Sequence, residues 1–81
     1  MVYQKAIKGH EVYAFTQEVM RPDGDTSNFV GGHFLSLFTV DDPPGALGGQ
    51  CVKDAAGKNR LFTVPMDAIT AAFVAADATL P

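Results

Sequence analysis

The sequence predicts a small α+β domain, an antiparallel meander of four to five strands with one C-terminal helix packed on one face. Three observations predict it. Residues 29–40 form the longest run of aromatic and β-branched side chains in the chain, the signature of a central strand. Clusters rich in Pro, Gly and Asp interrupt the apolar segments at 21–28, 41–49 and 54–59, as turns between strands do. Only beyond Pro65 do apolar residues recur at three- and four-residue steps.

Residues 2–8 alternate weakly, with Tyr3 and Ile7 against Gln4 and Lys8, and read as an edge strand rather than a helical turn stopped by Gly9. From Glu11 to Met20 the alternation sharpens. Tyr13, Phe15 and Val19 make one firmly apolar face, and Val12, Ala14, Thr16, Glu18 and Met20 make a mixed one. The Arg21-Pro22-Asp23-Gly24-Asp25 break, with Thr26, Ser27 and Asn28, predicts a hairpin loop, so 11–20 and 29–40 should pair antiparallel at the middle of the sheet. Within 29–40, Val30, Phe34, Phe38 and Val40 alternate with Phe29, His33, Leu35 and Leu37, so neither face is polar. Gly31 and Gly32 inside that run suggest a bend, or the close approach of another backbone.

The stretch 41–49, with its paired prolines and four glycines or alanines, predicts an extended loop. Segments 50–53 and 60–64 then read as a second hairpin whose turn places Gly57 in the left-handed region. Pro65 suits the first position of a helix, and Asp67 sits beside the positive end of its dipole. Met66, Ile69, Phe73 and Ala76, with Ala72, should face the sheet, and the helix should end near Asp77 with Leu80 folding back.

One domain, 1–81, accommodates all of this. A hydrophobic share of 47% supports a core and argues against disorder. Six Lys and Arg against nine Asp and Glu leave a net charge of −3, with no basic stripe of the kind nucleic acid requires. Cys51 is the single cysteine, which excludes an intrachain disulfide scaffold. No apolar run approaches the ~20 residues that span a bilayer, and the first residues lack the apolar core of a secretion signal. A cytoplasmic protein without membrane contact is expected.

Catalytic signatures are absent. Cys51 and His33 are the nearest thing to a nucleophile and its base, with His10 as the other histidine, and their spacing matches no known arrangement. The histidines are too sparse for a metal site, so no cofactor is expected. The glycines of 45–49 lack the Gly-Lys-Ser/Thr ending of a phosphate loop. What the sequence does imply is surplus apolar surface, because one short helix cannot cover both sides of such a sheet. A protein partner, most simply a second identical chain, would remove it. The candidate interface is Phe29, Gly31, Gly32, His33, Leu35 and Leu37 on the strand, with Pro43, Pro44 and Leu47 from the loop. The expectation is a non-enzymatic, homodimeric interaction module: an inhibitor, an accessory factor or a structural component, of the kind phages and mobile elements carry. The alternative is a small-molecule site or minor enzyme at a subunit interface near His33, Cys51 and Gly31-Gly32.

Overall fold

A computed structural model describes residues 2–19, 33–43 and 49–81. Among these residues five strands, β1 (Val2–Ile7), β2 (His10–Val19), β3 (His33–Val40), β4 (Gln50–Cys51) and β5 (Leu61–Phe62), precede one helix, α1 (Pro65–Thr79). All strand pairs are antiparallel, in the order β1-β2-β3, with β4 and β5 both on the far side of β3. This is the expected meander with its C-terminal helix. Among the described residues no helix is long and apolar enough to cross a membrane.

The β1–β2 connection is tighter than the sequence suggests. Ile7 pairs with His10, leaving a two-residue loop in which Lys8 and Gly9 both have positive φ, 52° and 81°. That is the type I′ geometry whose twist matches paired strands. Lys usually avoids the left-handed region. Here its ammonium group donates to the carbonyls of Asp77 and Leu80 at 2.9 and 3.0 Å, so the turn also closes the last turn of α1.

The predicted second hairpin resolves differently. Gln50–Cys51 pairs with Leu37–Phe38, and Leu61–Phe62 pairs with Phe34–Leu35. Between them the Val52 N–H donates to the Ser36 carbonyl, and the Arg60 N–H donates to Val52. β4 and β5 are thus two halves of one edge strand, interrupted by a short hairpin excursion. Lys53 bridges Asn59 in that excursion, Asp54 accepts from the N–H groups of Ala56 and Lys58, and Gly57 takes φ 82°. The left-handed glycine falls where the sequence placed it.

The helix lies on the mixed face of β2, not the aromatic one. Val12, Ala14, Ser36 and Phe38 are buried beneath Ala68, Ile69, Ala72 and Ala76, with Ile7 and Val52 completing the core. Size decides this. A helix lined with alanine gains most by close approach, and the small side chains Ala14 and Ser36 permit it where Tyr13 and Phe15 would not. The Ser36 hydroxyl donates to the Ala68 carbonyl, which satisfies the buried polar side chain of the core. Pro65 opens the helix and Asp67 occupies its first turn, as expected. The buried stripe turns by about one position, so Ala68 is inside and Met66 is 50% exposed. The helix runs on to Thr79, and Leu80 packs against the core.

Candidate interaction surface

Of the residues singled out from the sequence, Phe29, Gly31, Gly32, Pro44 and Leu47 lie outside the described residues, as does the predicted loop at 21–28. Leu37 is only 8% exposed, while His33 and Leu35 are half-buried and Pro43 is exposed. Among the described residues the chain shields part of the aromatic face. β4 runs beside Leu37, and Gly49 comes so near Phe15 that an added Cβ would sit 3.1 Å from the ring tip.

The three residues with catalytic potential are not brought together. Cys51 pairs opposite Leu37, four positions along β3 from His33, a separation of about 13 Å at strand rise. His10 stands at the other end of the sheet, its Nδ1 2.6 Å from the Asp41 carboxylate. Burial pushes the Cys51 thiol up, with Lys53 offsetting it only in part, so the thiolate needed for nucleophilic attack is disfavoured. The His33 Nδ1 is buried and has no hydrogen-bond partner among the described residues. Among those residues no three metal-ligating side chains cluster.

Asp41 is a structural clasp. It adopts φ 62°, accepts from His10 and from the Glu11 N–H, and returns its own N–H to the Glu11 carbonyl at 2.7 Å. The His10 hydrogen bond, followed by the Glu11 N–H, holds its carboxyl below the usual carboxylate range.

A second candidate surface, not singled out from the sequence, lies along the seam between α1 and β1. Two hollows follow one another there. One, about 190 Å³, is lined by Tyr3, Thr16, Pro65, Met66 and Ile69. The other, about 310 Å³, is lined by Lys5, Ala6, Ile7, Phe73, Val74 and Asp77. Met66 and Val74, which line them, are 50 and 64% exposed. The Lys5 ammonium lies 5.9 Å from the centre of the Phe73 ring, over the second hollow.

Beside this seam β1 forms the sheet margin. Among the described residues no strand pairs with its outer edge, and Val2, Gln4, Lys5 and Ala6 are all exposed. A two-residue hairpin closes on a pair that exchanges both main-chain bonds. Ile7, Lys5 and Tyr3 therefore direct their backbone groups at His10, Val12 and Ala14 of β2, and the N–H and C=O groups of Ala6, Gln4 and Val2 point outward. An unused hydrogen-bonding edge alongside an apolar trough is the geometry that accepts an added strand. The sequence hinted at it only in the alternation of residues 2–7.

Set against protein-family models, curated proteins and solved structures, the chain matches none of them.

Proposed function

We propose that this chain is a non-enzymatic interaction module of the cytoplasm that works as a homodimer and acts by binding another protein. The observation that carries the reading is the α1–β1 seam, where exposed Met66 and Val74 border a sheet edge whose backbone groups have no partner among the described residues. Large exposed apolar side chains gathered beside open backbone donors and acceptors are costly to leave in water and suited to a protein surface. For the alternative, a small-molecule site or minor enzyme at a subunit interface, His33 and Cys51 stand apart within one subunit, and Gly31 and Gly32 lie outside the described residues.

Native mass spectrometry of the protein isolated from its own cells tests this reading. The expected species contains two copies of the chain, alone or with a second polypeptide in fixed ratio. A single chain carrying a small-molecule adduct would overturn it. Val74→Glu, on the exposed side of the helix, should weaken the assembly without unfolding the chain, because Val74 is 64% exposed.

A further inference from the structure

We infer that the second occupant of the β1 edge is another copy of this chain, paired antiparallel, β1 to β1, about a two-fold axis through Gln4. The inference rests on the homodimer reading above and names the surface that makes it.

Backbone geometry selects the register. The outward-pointing residues are Val2, Gln4 and Ala6. A two-fold axis at Gln4 sets Gln4 against Gln4, Val2 against Ala6 and Ala6 against Val2. Each outward N–H and C=O then meets a partner, for six main-chain hydrogen bonds in all. Shifting the axis one residue towards the turn leaves four bonds and opposes Lys5 to Lys5, a like-charge pair that destabilises. Moving it to Ala6 runs the pairing into Lys8, whose φ of 52° has already left the strand. Moving it to Tyr3 leaves four bonds among the described residues. Only the Gln4 axis combines the full ladder with separated charges.

The side chains agree with this register. On the helix side, Tyr3 of one copy stands opposite Lys5 of the other. A Tyr ring beside a Lys stem and ammonium group is a favourable cross-strand neighbour. The lysine that would otherwise guard an open edge against pairing is thus accommodated in this register and penalised in the one centred on itself. Both copies present their α1–β1 hollows on the same side of the joined sheet, where exposed Val74 and half-buried Phe73 flank the junction.

Cross-linking tests the pairing in the full chain carrying Cys51→Ala. Tyr3 and Lys5 of opposite copies would form a non-hydrogen-bonded pair with Cα atoms about 4.5 Å apart, inside the reach of a disulfide at about 4.4–6.8 Å. Mixing Tyr3→Cys with Lys5→Cys under mild oxidation should give a covalent dimer, and either variant alone should not. Gln4→Pro removes an N–H that points away from β2 and should raise the dimer dissociation constant roughly 10- to 100-fold, with circular dichroism unchanged. A chain that light scattering finds dimeric, yet that neither cross-links in the mixture nor responds to Gln4→Pro, overturns this interface and leaves the homodimer standing. A chain that stays monomeric to millimolar concentration overturns both.

Discussion

Three residues hold positions that their neighbours make hard to replace. Gly49 is needed for close approach: a Cβ there would lie 2.5 Å from the Phe38 carbonyl oxygen and 3.1 Å from Phe15, both in the packed sheet. Gly49→Ala should lower stability by roughly 1–3 kcal/mol, read from the urea midpoint at unchanged slope. Ser36 sits at 0% exposure under α1. Ser36→Ala removes one hydrogen bond from a carbonyl that lies inside the helix and should cost about 1 kcal/mol. Ser36→Val should cost more, about 1–3 kcal/mol, because the added methyls push against Ala68. Asp41 links stability to pH. Its folded value lies below the ordinary 3.8, so its contribution is complete above that value and is lost as pH falls through the folded one. Asp41→Asn keeps a side chain at ease in the left-handed region, yet it should destabilise at neutral pH and flatten the acid limb of the stability–pH curve, as urea titrations from neutral pH to pH 2 would record.

Elements were legible from sequence where a local signal and burial point the same way. Pro65 and the apolar period locate α1, and alternation locates β1, β2 and β3. The split of the last edge strand was not legible. The turn chemistry of Asp54 to Gly57 signals a hairpin, but nothing local says that its two arms lie end to end along β3 rather than side by side. Nor did the sequence say which face α1 would choose. Aromatic weight favours the Tyr13–Phe15 side, while the fit of alanine to Ala14 and Ser36 favours the other, and packing decides. The Lys8-Gly9 turn has no local sequence signature, because Lys is a rare occupant of the left-handed region. What holds it is the distant end of the helix, a tertiary contact. Lys8→Ala should therefore release the helix end as well as the turn, lowering stability by less than about 1 kcal/mol because the group is exposed. Hydrogen exchange should quicken at Leu80, whose N–H donates to Ala76, and the deficit should shrink in high salt.

For the whole molecule, assembly and stability become one quantity if two copies share a sheet. The thermal midpoint of the native chain should rise with protein concentration, because mass action favours the associated form. That of Gln4→Pro should be nearly flat across the same range, a comparison differential scanning calorimetry makes directly. The candidate site was the least legible feature in the sequence. The heavy aromatics of 29–40 dominate the sequence; of the candidate residues there that the structure describes, Leu37 is buried, while the open edge follows a thin strand of modest composition. The two borders of the sheet are also unlike. One is a continuous six-residue ribbon, and the other is broken into two-residue pieces by the protruding loop at 53–59. A ribbon open at both borders can polymerise without limit into fibrils. Here the other border is interrupted, so if two copies pair through the intact one, growth would terminate at a closed pair, and a sticky margin would carry no hazard of filament formation.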